Sequence, residues 1–266
     1  MKIAILGGGS WGTALAVHLA KNDNGIKVWE FFEEQAKEMQ EGRVCKLLPE
    51  AKLPENIFVS HKIEEVLSDF ELLLLVVPSN HVEKTIEQAK EFIQEQAVII
   101  CSKGFGSDLK FLSDVVKEKI SGEVYCLYGP THAEEVCKDM YSGIVLAGGK
   151  GKEGLQKVIA SDSLKVDLTD DLIGVQVAAA LKNILAVFVG VLDGMGLGDN
   201  AKAYIMTRGL QEIKDVGVAL GAKEETFYGL AGIGDMIVTS TSPHSRNRSV
   251  GVEVGKGRKL QEVIDE

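Results

Sequence analysis

Lys2-Ile-Ala-Ile-Leu-Gly7-Gly-Gly9-Ser10-Trp11-Gly12, continued to Lys27-Val-Trp29-Glu30, is the stretch on which the reading of this chain turns. Ile3 to Leu6 makes a short buried strand, and Gly7-x-Gly9-x-x-Gly12 then opens a helix near Ser10. The first glycine permits a tight turn, the second a close approach to a pyrophosphate, and the third close packing of helix on strand. Free N–H groups and a partial positive charge at the helix start face the same place. A second strand, Ile26 to Trp29, ends in Glu30, eighteen residues after Gly12. A dinucleotide-binding unit puts there the carboxylate that accepts from ribose hydroxyls. Taken alone the glycines are equally a glycine-rich turn; strand, motif, helix, strand and acid in that order point to a bound dinucleotide.

Outward from this start, strand and helix patterns alternate. Phe31 to Gly42 is helix-compatible, Leu47 to Pro54 reads as a loop with two prolines, and Asn56 to Ser60 reads as a strand. Leu72 to Val77 is a continuous apolar run stopped by Pro78, as expected of a parallel strand covered on both faces. Ala97 to Cys101 leads into Ser102-Lys103-Gly104, and Glu123 to Tyr128 into Gly129-Pro130-Thr131-His132-Ala133. Ser142 to Ala147 and Leu164 to Leu168 read as two more strands. From Asp170 the pattern is helical only, with Leu172 to Gly194 long and apolar and Asn200 to Leu220 amphipathic. The expected class is therefore α/β: a Rossmann-type doubly wound sheet over residues 1–169, followed by an all-helical substrate domain over 170–266. Ligands of such sheets bind outside the carboxyl ends of the strands, which gathers the three loops around the cofactor.

Composition narrows the partners. The 266 residues are 45% apolar and carry a net charge of −10, with no basic tract, which argues against a nucleic-acid surface. An anionic ligand must then be met by local cations and helix ends. Cys45, Cys101, Cys126 and Cys137 form no CxxC pair and no metal spacing, and they suit a reducing cytoplasm. The five histidines form no ligand cluster, so no metal is expected. The longest apolar run, Val175 to Leu192, is interrupted by Lys182-Asn183 and reads as a buried helix instead of a membrane span.

Several polar residues could carry chemistry. Lys182 sits in the most apolar helix; it either snorkels to solvent or is a desolvated general acid–base group. Asp235, in Gly232-Ile-Gly234-Asp235, is either a helix cap or the carboxylate that fixes an active lysine. Ser245-Arg246-Asn247-Arg248 is a solvated basic turn or a phosphate clamp. Lys103 has the same ambiguity at a strand's carboxyl end. His132 is assigned no role, and Asp193 to Asp199, rich in glycine, is most simply a flexible connection between helices.

Together these segments resemble NAD(P)-dependent glycerol-3-phosphate dehydrogenase. The resemblance rests on Gly7-Gly-Gly-Ser-Trp-Gly-Thr-Ala-Leu-Ala16, Ser102-Lys-Gly104, Gly129-Pro-Thr-His-Ala133, Ala180-Leu-Lys-Asn183, Gly234-Asp235 and Ser245-Arg-Asn-Arg248, which occur in the family's order over nearly the whole chain. It implies that Ser10, Trp11, Phe31 and Ala133 line the dinucleotide, together with Gly7, Gly9, Gly12 and Glu30. Lys103, Gly129, Thr131, Asp235, Ser245 and Asn247 would contact or position substrate, and Arg246 would serve phosphate and cofactor. Lys182 would transfer the proton with Asp235 orienting it, and Asn183 and Thr239 would complete the polar shell. The reaction implied is the reduction of dihydroxyacetone phosphate to sn-glycerol 3-phosphate, a phospholipid precursor, in a cytoplasmic homodimer.

Two departures from the family pattern stand out. Phe31 and the acids around it replace the arginine or histidine that suits a 2′-phosphate in many bacterial relatives, so the expected cofactor is NAD, with NADP also open. The family also continues for several helices beyond the position of Glu266, so the expectation is either of a sequence truncated at its C-terminus or of a reduced helical domain. A hydroxyacid or ketopantoate-type reductase is the alternative enzyme reading, and a non-catalytic nucleotide-binding module the alternative outside catalysis.

Overall fold

The computed structural model describes residues 1–22 and 24–265. They divide into two compact units, Met1–Leu127 with Thr131–Leu172, and Tyr128–Pro130 with Ile173–Glu266.

The first unit alternates strands and helices: β1 (Lys2–Leu6), α1 (Ser10–Ala20), β2 (Gly25–Trp29), α2 (Glu33–Gly42), β3 (Val44–Cys45), β4 (Leu48–Lys52), β5 (Ile57–Ser60), α3 (Ile63–Val66), β6 (Leu72–Leu75), α4 (Ser79–Ala89), β7 (Ala97–Ile100), α5 (Leu112–Lys117), β8 (Val124–Tyr128), α6 (Ala133–Val136), β9 (Ser142–Ala147), α7 (Lys152–Ile159) and β10 (Leu164–Thr169). Eight strands form one sheet in the order β10-β9-β8-β7-β6-β1-β2-β5. β1 pairs in parallel with β2 on one side and β6 on the other, and the registers of β2 with β5, β6 with β7, β7 with β8 and β9 with β10 are also parallel. The four leucines of β6 are fully buried because helices cover both faces. Strand order reverses between β1 and β6, the point where a doubly wound sheet opens a crevice for ligand.

The glycine turn lies at that point. Gly7 has φ +121°, and a Cβ there would come within 2.8 Å of the Val76 backbone. A Cβ on Gly12 would lie 1.8 Å from the Gly7 carbonyl oxygen, so α1 can approach β1 only without one. From Gly12 to Ala20 every residue of α1 is buried. His18 is among them, with Nε2 2.7 Å from the Ile159 carbonyl oxygen. Within the segment expected as a two-proline loop, Leu48–Lys52 is instead a strand, β4, paired antiparallel with β3. Pro49 is accommodated because a two-stranded ribbon leaves outward N–H positions unpaired.

The second unit is helical: α8 (Leu172–Gly194), α9 (Gly198–Ala219), α10 (Asp235–Thr241), α11 (Arg246–Gly255) and α12 (Leu260–Ile264). By length and composition α8 could cross a bilayer, but 56% of its most apolar stretch is buried within the protein. α8 and α11 touch backbone to backbone. A Cβ on Gly190 would lie 2.2 Å from the Arg248 carbonyl oxygen, and one on Gly251 would lie 2.1 Å from that of Val187.

The glycine turn before α1 predicts unequal responses to adding one methyl group. Gly12→Ala should lower unfolding free energy in urea by about 1–3 kcal/mol, the usual cost of overpacking. Gly9→Ala, which meets nothing within 4 Å, should cost well under half of that.

Candidate active site

In the first unit the Gly7–Gly12 turn presents a helix start that no side chain caps and whose first turn holds no acid. Gly9 faces open space while Gly7 and Gly12 are crowded by their own chain. Gly9 thus leaves open space beside an uncapped helix start, a place where backbone N–H groups could meet an anion. Ser10 and Trp11 open α1 and are half-buried, with Trp11 resting on the core.

Glu30, at the end of β2, is 6% exposed. Its Oε1 accepts from the Phe32 N–H at 3.1 Å, and its Oε2 lies where a side chain on Gly8 would have to go. Burial pushes its carboxyl above the ordinary range, against the pull of the Phe32, Phe31 and Gly8 backbone N–H groups. Phe31 stands beside it, 62% exposed, edge-on to both Trp29 and Phe32.

At the end of β7 the buried Ser102 hydroxyl donates to the Leu75 and Val77 carbonyls, bracing the β6 and β7 loops together. Lys103 follows it, half-buried. Gly104 then takes a left-handed turn with φ +139° against the Ser79 side chain. Thr131 is half-buried, and Ala133 is buried as the first residue of α6.

The second unit brings together the residues of opposite charge. Lys182, midway along α8, is 4% exposed, and Asp235, the first residue of α10, is 1% exposed. Lys182 Nζ lies 2.5 Å from Asp235 Oδ1 and donates to Thr239 Oγ1 at 2.6 Å. Thr239, one turn after Asp235, donates to Asp235 Oδ1 at 3.4 Å, closing a triangle. A π-helical turn, Leu230–Gly234, delivers Asp235 to this position, a device that recurs at functional sites. Asp235 is thus the partner of the lysine and not the cap, a role that falls to Gly234. Snorkelling of Lys182 is overturned as well: its ammonium is held inside by the carboxylate. The Gly129–Pro130 turn belongs to this unit, with the Pro130 ring against Gly234.

Beside the triangle, Asn247 Nδ2 donates to Asn183 Oδ1 at 2.9 Å, tying α11 to α8. The Ser245 hydroxyl caps α11 by accepting the Arg248 N–H. Arg246, the first residue of α11, is exposed. A cation at that helix start, next to two amide side chains, can meet an anionic oxygen from several directions.

Asp193 is the residue that sequence reasoning missed. The glycines after it suggest a flexible connection, yet Asp193 lies inside α8 and accepts from Arg248 and Lys202. Although partial burial opposes it, hydrogen bonds from Lys202 and Arg248 hold the Asp193 carboxyl below the ordinary range. A carboxylate at the very end of an apolar helix was the available signal. Among the described residues no group of His, Cys, Asp and Glu is placed to hold a metal ion.

Comparison with known proteins places these features in context. Residues 2–153 match the family model described as the NAD-dependent glycerol-3-phosphate dehydrogenase N-terminus, and residues 171–266 match that of its C-terminus. A glycerol-3-phosphate dehydrogenase [NAD(P)+] of Thermoanaerobacter sp. is 40% identical over 270 residues, covering 100% of this chain and 82% of the relative. One from Bacillus licheniformis is 40% identical over 275 residues, covering 100% and 80%. The crystal structure of glycerol-3-phosphate dehydrogenase from Coxiella burnetii superposes with a TM-score of 0.96 at 33% identity, covering 99% of this chain and 83% of that one. A ketopantoate reductase from Ralstonia eutropha, at 16% identity and a TM-score of 0.64, shares the fold alone.

The buried triangle makes a prediction about stability. Lys182→Met leaves the Asp235 carboxylate buried without its cation and should cost about 3–5 kcal/mol in urea unfolding. Changing both residues, Lys182→Met with Asp235→Leu, should recover most of that loss. A single variant as stable as the parent would show that the carboxylate does not depend on the lysine.

Proposed function

Because this chain belongs to the NAD-dependent glycerol-3-phosphate dehydrogenase family, we propose that Lys182, held by Asp235, is the group that moves the proton when dihydroxyacetone phosphate and sn-glycerol 3-phosphate are interconverted. The chain is an NAD(P)-dependent oxidoreductase. The observation that supports the role of Lys182 is an ammonium 4% exposed and 2.5 Å from a carboxylate that is itself buried. When bound, the nicotinamide coenzyme supplies or accepts the hydride.

As hydride reaches the substrate carbonyl carbon, negative charge grows on its oxygen. Lys182 Nζ is a cation that stabilises that charge and carries the proton the new hydroxyl needs. Asp235 and Thr239 fix where the ammonium points, so little reorganisation is left for the reaction itself. On this reading Arg246, Asn247 and Ser245 at the start of α11 take the substrate phosphate, with Asn183, Gly129, Thr131 and Lys103 contacting the rest. Binding the phosphate, remote from the reacting carbon, holds the ketone in line.

The turn from Gly7 to Gly12, with Phe31 and Ala133, receives the dinucleotide. Glu30 and Phe31 favour NAD(H) over NADP(H), because a 2′-phosphate would meet an acid and an apolar ring in place of a cation. Four cysteines in the thiol form are consistent with action in a reducing cytoplasm. There the enzyme would supply glycerol phosphate for phospholipid synthesis, as a homodimer like its family.

Purified protein should oxidise NADH when dihydroxyacetone phosphate is added, and Lys182→Ala should lower kcat about a hundredfold or more while NADH still binds. Turnover at the parental rate in that variant would remove Lys182 from the mechanism. In parallel assays NADH should outperform NADPH, and Glu30→Ala should narrow the gap by about tenfold. A gap that Glu30→Ala leaves untouched would place the preference elsewhere.

A further inference from the structure

The helix that starts with Arg246 and Asn247 lies on α8 along a seam of glycines. Three contacts follow one offset of sixty-four residues: Asn183 to Asn247, Val187 to Gly251, and Val191 to Gly255. α8 and α11 therefore run side by side in the same direction. Gly190 and Gly194 on one helix, with Gly251 and Gly255 on the other, let the backbones meet: a Cβ on Gly194 would come 2.2 Å from the Val252 carbonyl oxygen, and one on Gly255 2.3 Å from that of Val191. Such a seam gains close van der Waals contact but has few interlocking side chains. Rotation and sliding of α11 must then be stopped by ties at its flanks.

The structure supplies two ties. One is the Asn183–Asn247 hydrogen bond. The other is Asp193, where Arg248 Nε at 2.9 Å and Nη2 at 2.5 Å converge on Oδ2. Lys202 holds Oδ1 at 2.7 Å and also reaches Asp199 at 2.7 Å, which ties in the start of α9. Arg248 touches α8 twice, with its carbonyl oxygen over Gly190 and its guanidinium on Asp193. It follows Asn247 directly, so whatever fixes Arg248 fixes the first turn of α11.

We propose that Asp193 is a positioning residue for the phosphate end of the substrate: its grip on Arg248 sets the rotation of α11 on the glycine seam, and with it the direction in which Arg246 and Asn247 face. This rests on the reading of the α11 start as the phosphate site. Asp193 touches neither substrate nor coenzyme in this account. Its effect is confined to substrates that carry a phosphate.

The test compares dihydroxyacetone phosphate with unphosphorylated dihydroxyacetone, using NADH and full-length protein. Asp193→Asn keeps the shape but offers only one oxygen to three donor groups. It should raise KM for dihydroxyacetone phosphate about tenfold, while kcat/KM for dihydroxyacetone at saturating NADH stays at the parental value. Asp193→Glu should recover part of the loss, and Arg248→Lys, which keeps the charge but not the fork, should reproduce it. If Asp193→Asn does not fold, Arg248→Lys is read in the same way. Equal losses on both ketones, or an unchanged KM for the phosphorylated one, would overturn the proposal while leaving the dehydrogenase reading intact. A parent enzyme that reduces dihydroxyacetone but gains nothing from the phosphate would instead overturn the phosphate site, and this inference with it.

Discussion

A lysine and an aspartate, both nearly stripped of water, hold each other inside the helical unit. Neither charge could stay there alone, because transferring one ion from water into a protein interior costs several kcal/mol. Their attraction and the Thr239 hydroxyl offset that cost only in a narrow geometry. The arrangement is therefore a constraint on α8 and α10 before it is a site: the π-helical turn before Asp235, the small residues around it and the Pro130 contact follow from the need to bring that carboxylate to one spot. A pair retained in spite of its desolvation is expected where chemistry needs a placed cation, since apolar residues of similar size would stabilise the fold as well.

The two units solve the problem of approach in the same way, by leaving out side chains. In the sheet, Gly12 lets a helix start sit against the strand that precedes it, and the fully buried α1 is the result. In the helices, Gly190 and Gly251 let α11 lie against α8, so that Asn183 and Asn247 meet. In both places the missing side chains fix where a helix N-terminus sits. Gly9 differs from the others because nothing in the protein needs its space.

Much of this could be read from the residues. β1 and β6 to β9 read as short apolar runs closed by glycine, proline or a polar residue, because strands buried on both faces tolerate little else, whereas β10 at the sheet edge alternates apolar and polar residues. Lys182 stood out as a charge in an apolar helix. Other features could not be read. The β3–β4 hairpin was hidden because Pro49 and Pro54 argue for a loop unless one knows that the ribbon is isolated from the main sheet. The membership of Tyr128–Pro130 in the helical unit is a matter of contacts distant in sequence. Asp193 was masked by the glycines that follow it, which signal a turn, although its role is set by Arg248 fifty-five residues later. Residues that act through partners far along the chain leave no local pattern.

In the proposed reaction the amine of Lys182 is the acid that completes the reduction. Chemical rescue addresses the amine itself. In Lys182→Ala, small primary ammonium ions can enter the space the side chain vacates, beside Asp235 and Thr239. Methylammonium or ethylammonium should restore reduction of dihydroxyacetone phosphate by NADH in that variant, with saturation and with a rate that follows the acidity of the added ion. A folded, NADH-binding Lys182→Ala protein that no amine rescues would contradict it.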